Sequence, residues 1–135
     1  MKAHDNHESC KCHKCRSWLE SFRYALNGIG QTAKTERNFR IHIVMGMLAV
    51  IVCVVFRAYL DVWHFVLVAL AIFFVMVMEL MNTAIEAITD LVCGNSFHPL
   101  AKMAKDAAAG AVLLASTFAL VVGAVVAITI LRRFL

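Results

Sequence analysis

The sequence holds a single proline, Pro99, and only six glycines, which excludes a collagen-like or linker-rich chain. Charge is also scarce. Asp, Glu, Lys and Arg make up 16% of residues against 61% hydrophobic, outside the balance of a soluble domain on both counts. The chain of 135 residues has no room for a second large domain. A basic start with an apolar run and a small-residue cleavage site is missing, because Met1 to Arg16 is polar and rich in His, Cys and Lys. No secretory processing is therefore expected. Neither a GxxxxGK[ST] loop nor a kinase glycine loop occurs, so a nucleotide would have to be held without either cradle. The five cysteines fall into a tail group (Cys10, Cys12, Cys15) and two lone residues in or near apolar helices (Cys53, Cys93). An odd count at such spacing is not a disulfide framework.

What the chain does have is apolar helix. The expected architecture is all-α and integral to a membrane, with a surface helix at about 17–33 and transmembrane helices at about 38–59, 62–91 and 99–132. Trp18, Phe22, Ala25, Leu26 and Ile29 form one face of the first helix, which is too short in apolar length to span. The run Ile43 to Phe56 is short for a crossing and becomes long enough only if its helix extends to about Tyr59. Asp61 is placed to cap the next helix, Trp63 to anchor it at an interface, and nearby His64 to be satisfied by water. Cys93 to Pro99 reads as a loop, and Pro99 suits the start of the last helix. The small residues of AAAGAVLLAS in that helix permit close helix packing.

The tail, 1–15, is expected to be disordered. Cys12 and Cys15, with Cys10 and His13 close by, offer the alternative of a Zn²⁺ site. Of the thirteen Lys and Arg, eight lie between Lys2 and Arg40, and Lys102 and Lys105 share their side if three helices span. That asymmetry predicts a cytoplasmic N-terminus, a cytoplasmic loop before the third span and a C-terminus outside.

The stretch ELMNTAIEAITD organises the rest. Glu79, Asn82, Thr83, Glu86 and Asp90 stand at offsets of three, four, seven and eleven, on one stripe of an otherwise apolar helix. One reading is a solvated face where the helix leaves the bilayer; the other is a site at the boundary, since acidic groups in an apolar helix need a partner or a role. Glu36, directly before the first span, has the same two readings: a helix-start carboxylate paired with Arg40, or a member of that site. Parity of the three spans brings Glu36, Glu79, Asn82, Glu86, Asp90, Lys105 and Asp106 to one side. Carboxylates with an amide suit a hard divalent cation, a lysine beside them suits a polyphosphate, and the deeper Glu79 can take a proton from a hydroxyl. Together these are parts for phosphoryl transfer to a lipid alcohol. A small cation transporter and a non-enzymatic membrane adaptor are the rival readings.

SFRYALNGIGQTAKTERNFRIH, then ELMNTAIEAITD, then HPLAKMAKDAAAGAVLLAS resemble, in that order, the prokaryotic diacylglycerol kinase family of small three-span enzymes. The resemblance covers Ser21 to about Val122, and the wording TERNFRIH and HPLAKMAKDAAAGAVL is most like the Gram-positive branch that phosphorylates undecaprenol. It implies Glu79 as catalytic base and Glu36 and Glu86 as carboxylates for the Mg²⁺ of MgATP. It further implies Asn82, Asp90, Lys105 and Asp106 around the nucleotide, with Tyr24 near the adenine. A bacterial cell-membrane enzyme follows from it, acting on undecaprenol or diacylglycerol as a homotrimer with sites between subunits. The tail before Arg16 has no counterpart in the family pattern.

Overall fold

A computed structural model describes residues 17–94 and 96–135. The tail with its Cys12 and Cys15 pair lies outside the described residues. Four α-helices carry the rest: α1 (Trp18–Thr35), α2 (Arg37–Val55), α3 (Val62–Cys93) and α4 (Pro99–Phe134), with a 3₁₀ turn at Arg57–Tyr59. The last three are long and apolar enough to cross a membrane.

Ser17 starts α1, its hydroxyl accepting from the Glu20 N–H at 3.3 Å. Trp18, Phe22, Leu26 and Ile29 on its apolar face are exposed, as suits a helix lying on a lipid surface. The break between α1 and α2 is the single extended residue Glu36, whose N–H still bonds to the Thr32 carbonyl at 2.8 Å. The second helix is shorter than the expected 38–59, because α-helical geometry stops at Val55 and Phe56 turns the chain into the 3₁₀ segment. Its 19 residues rise about 28 Å, close to the hydrocarbon thickness without the extra turn.

Asp61 caps α3, as its position predicts. His64 departs from expectation. It is satisfied by the protein, its Nδ1 accepting from the Asp61 N–H at 3.2 Å and its Nε2 standing 3.3 Å from Thr129 Oγ1 on α4. Gly94 ends α3 at φ 55°, a left-handed conformation that glycine adopts without strain. His98 caps α4 through Nδ1, which accepts from the Leu100 N–H at 3.2 Å, and Pro99 follows in the first turn, where a missing N–H costs nothing.

The closest packing joins α3 to α4, with α2 laid against α3. Cys53, Leu60, Val68, Ala71, Val122 and Val126 form the core, which occupies the half of the bundle nearer Asp61. A Cβ on Gly46 would stand 3.4 Å from Ile72 Cγ2, an ordinary contact distance, so α2 lies against α3 at this point. Most other apolar side chains on α2, such as Val44, Leu48 and Ile51, point away from the protein. Lipid can cover them without cost.

Candidate active site at the α2 and α3 boundary

The buried stripe of α3 runs Val68, Ala71, Val75 and then Glu79. These are steps of three and four, so the carboxylate takes the next core position of a helix whose preceding ones are apolar. Glu79 is 3% exposed. The stripe continues through Asn82, Thr83 and Glu86, which are half-buried, to the exposed Asp90. The polar face thus grades from core to surface along about three turns.

Within it the hydrogen bonds are unevenly met. Asn82 Nδ2 donates to Glu86 Oε1 at 2.9 Å, which turns its carbonyl oxygen the other way. That Oδ1 and Glu79 Oε1 are buried with no hydrogen-bond partner among the described residues. Two such acceptors side by side on one helix face cost free energy unless a donor or a cation comes to them.

Helix α2 meets this stripe at His42, which shares its inward side with Phe39 and Gly46 at steps of three and four. Phe39 is completely buried, and His42 Nε2 stands 3.4 Å from Glu79 Oε1. Glu36 holds the N-cap position of α2, but its side chain makes no cap hydrogen bond and no ion pair with Arg40, whose Nη1 instead donates to the Lys34 carbonyl at 2.7 Å. Of the simple structural reading of Glu36 the helix-start position holds and the Arg40 pair does not, because the guanidinium closes the C-terminal end of α1. Glu36 and Glu86 are both near enough for their charges to act on Glu79.

The other expected site residues stand further out. Lys105 Nζ donates to Asp90 Oδ1, tying the end of α3 to the start of α4, and Glu86 also lies within reach of its charge. Asp106 is held by Lys102 on its own helix. Tyr24 is half-exposed on α1, with the Arg23 guanidinium 6.0 Å from its ring centroid, and no contact joins it to the carboxylates among the described residues. His42 was not among the expected site residues. Its signal was the three-residue step from Phe39 on a helix just after Glu36, which becomes readable once Phe39 is known to face inward.

No three carboxylate, imidazole or thiolate groups converge as a metal cage among the described residues. Mg²⁺ has little need of one, since it commonly binds through one or two carboxylates plus substrate phosphates. Oxygen donors at Glu36 and Glu86 and the unmet Asn82 carbonyl fit that mode.

These features define a multi-pass membrane protein with a buried carboxylate and amide cluster at one end of its spans. The model of the prokaryotic diacylglycerol kinase family matches residues 23–127. A diacylglycerol kinase of Synechocystis sp. is 46% identical over 105 residues, which cover 78% of this chain and 59% of that protein. The undecaprenol kinase of Bacillus subtilis is 42% identical over 106 residues, covering 78% of this chain and 84% of its own. A diacylglycerol kinase of Escherichia coli is 36% identical over 105 residues, 76% of this chain and 82% of that one. The chain belongs to the prokaryotic diacylglycerol kinase family, a class of ATP-dependent lipid phosphotransferases. The match spans less than two thirds of the Synechocystis relative, and relatives of similar identity carry different lipid names.

Proposed function

We propose that the chain transfers the γ-phosphate of ATP to the hydroxyl of a membrane lipid alcohol, with undecaprenol as the acceptor. The observation that carries this reading is the core position of Glu79, a carboxylate with an unmet oxygen beside a second unmet acceptor at the end of the spans. In the reaction the lipid O–H proton passes to Glu79 as the hydroxyl oxygen bonds to the γ-phosphorus. The bond from that phosphorus to the β-phosphate bridging oxygen breaks, and ADP leaves. Glu36 and Glu86 are the residues that would hold the Mg²⁺ of MgATP, which supplies neutralisation of phosphate charge. Lys105 offers the phosphates a cation, while Asn82 and Asp90 line the way from Glu79 to it. Asp106 and Tyr24 are assigned to the nucleotide on the family resemblance alone. Most of the rate gain would come from placing hydroxyl and phosphate together in a dry site.

Undecaprenol is favoured by the likeness to the Gram-positive motif wording and by the B. subtilis undecaprenol kinase, most of whose length is matched. Diacylglycerol is the second reading, favoured by the Synechocystis and E. coli relatives. Basic residues near Arg37 and Lys105 support a cytoplasmic site with the C-terminus outside. A homotrimer with sites between subunits is the assembly we assign from the resemblance; it would cover Glu86, Asp90 and Lys105, which one copy leaves partly open. A cation pathway would spread its acidic residues through the bilayer depth, whereas here Glu79, Glu86 and Asp90 gather toward one boundary.

The test is transfer of labelled γ-phosphate from MgATP to undecaprenol and to diacylglycerol, side by side in mixed micelles of the purified chain. Preference for undecaprenol is expected. Preference for diacylglycerol would replace the acceptor and keep the chemistry, and transfer to neither would remove the kinase reading.

A further inference from the structure

We propose that His42 is a positioning residue for the base, its Nε2–H holding one oxygen of Glu79 so that the other is free to take the hydroxyl proton. The assignment rests on the reading of Glu79 as that base. Three observations carry it. The first is the contact itself: His42 Nε2 lies 3.4 Å from Glu79 Oε1, across the interface of α2 and α3. An ionised carboxylate only accepts hydrogen bonds, so the contact requires the proton to sit on Nε2.

The second is the charge around Glu79. Glu36 comes from the junction of α1 and α2, and Glu86 from the same helix, both of like sign; His42 alone among the groups acting on it offers a donor. The carboxylate therefore has one side chain that can fix it and two that repel it. The third is that His42 is itself held. It lies on the inward face of α2 between the fully buried Phe39 and Gly46, which packs near Ile72, and its side chain is 23% exposed. An imidazole anchored between two packing contacts has a defined place from which to aim its nitrogen.

At 3.4 Å the pair is longer than an ordinary hydrogen bond, and Glu79 Oε1 has no hydrogen-bond partner. Catalytic hydrogen bonds often stand long until substrate binds and shorten in the complex. A carboxylate left to turn freely would present the wrong oxygen or the wrong angle to the hydroxyl.

The experiment compares wild type, Glu79→Gln, His42→Ala and His42→Gln in the full chain in mixed micelles, with MgATP and whichever of undecaprenol or diacylglycerol is accepted. We expect His42→Ala to lower kcat about tenfold to a hundredfold, from misplacement of the reacting group. Its KM for MgATP should stay within about twofold, because the contact acts on the chemical step and not on nucleotide binding. His42→Gln can place an amide N–H where Nε2 stood and should recover most of the loss. A packing role alone would not give that recovery. Normal turnover in His42→Ala with Glu79→Gln inactive would overturn the assignment of His42 and leave the base intact. Equal impairment in His42→Gln and His42→Ala would overturn it as well, since a donor would then not be what the position supplies. Normal turnover in Glu79→Gln would remove the base and the His42 assignment together.

Discussion

The two ends of the bundle use the same kinds of side chain to opposite effect. Near the start of α3, Asp61 takes two bonds from Arg133, Nη1 to Oδ1 at 3.3 Å and Nη2 to Oδ2 at 2.8 Å. Arg133 also donates to the Tyr59 carbonyl, and the Tyr59 ring meets Phe134 edge-on at 5.9 Å. His64 between them uses both ring nitrogens, on Asp61 N–H and Thr129. Thr129 Oγ1 already donates to the Val125 carbonyl, so it accepts from Nε2, and the imidazole is fixed in one neutral tautomer. Asp61, Arg133, His64 and Thr129 together close a loop between α3, α4 and the turn. Around Glu79 a carboxylate, an imidazole and an amide are again present, yet two buried acceptors remain unmet. Acid, histidine and a polar neighbour thus do not by themselves mark a site. On the proposed reading the incomplete set does, because a buried, unmet acceptor costs free energy that an incoming donor or cation would offset.

The largest effect should come from breaking this contrast at Glu79. Glu79→Gln keeps the volume and removes the ability to take a proton, and turnover should fall about a hundredfold or more, the usual weight of a general base. Glu79→Leu should abolish turnover and at the same time raise stability by about 1 to 3 kcal/mol, since it replaces an unmet polar group at a core position by an apolar one. Thermal unfolding in detergent, followed by circular dichroism, reads the second quantity. A less stable Glu79→Leu protein would mean that the carboxylate is already satisfied within the fold, beyond the long His42 contact, and that the two ends do not differ. The same substitution logic predicts no such gain at Asp61, where the carboxylate is fully engaged.

Sequence patterning was enough to place the three spans, the surface helix, Asp61 at the start of α3, Pro99 in the first turn of α4, and the stripe from Glu79 to Asp90. All of these are properties of one helix at a time. What it missed depends on how two helices meet. The polar stripe could be read without knowing that Val68, Ala71 and Val75 lead into it, and so the burial of Glu79 was open. His42 becomes a neighbour of Glu79 only through the rotation of α2 against α3, which puts Phe39, His42 and Gly46 on the inward side of α2. Arg40 looked like a partner for Glu36 at helical spacing, but the extended conformation of Glu36 puts that residue outside α2, and the guanidinium finds the Lys34 carbonyl instead. The α-helical end of α2 at Val55 was likewise hidden, because Arg57 to Tyr59 continues a helix-compatible sequence while the chain must turn toward Asp61.

Lys105 sharpens the comparison at an intermediate level, since its pair with Asp90 is closed like the Asp61 end but stands beside the open one. An exposed ion pair of this kind contributes little to stability. Lys105→Ala should therefore leave thermal unfolding nearly unchanged while raising the KM for MgATP severalfold, because the cation that the proposed function assigns to the phosphates is lost. Initial rates over a range of MgATP read it. Unchanged KM with lowered stability would assign the pair to holding α3 against α4, in the manner of Arg133.

The smallest effect belongs to the closed end. The Arg133 guanidinium, by hydrogen bond and by charge, holds the Asp61 carboxyl below the usual carboxylate range. A carboxyl whose folded pKa lies below its unfolded value adds stability above the unfolded value and loses it as pH falls through the folded one. Wild type should thus lose a little stability below the ordinary carboxylate range, and Arg133→Gln, which releases Asp61, should lose that part of the acid dependence. The difference between the two unfolding curves should be small, because both side chains are about half-exposed and water screens them. Turnover should be the same in both proteins at neutral pH, since Asp61 lies about 27 Å along α3 from Glu79. If Arg133→Gln instead lowered turnover while leaving unfolding untouched, the closed end would be coupled to the chemistry through α3 and α4, and the division between a structural and a reactive end would fail.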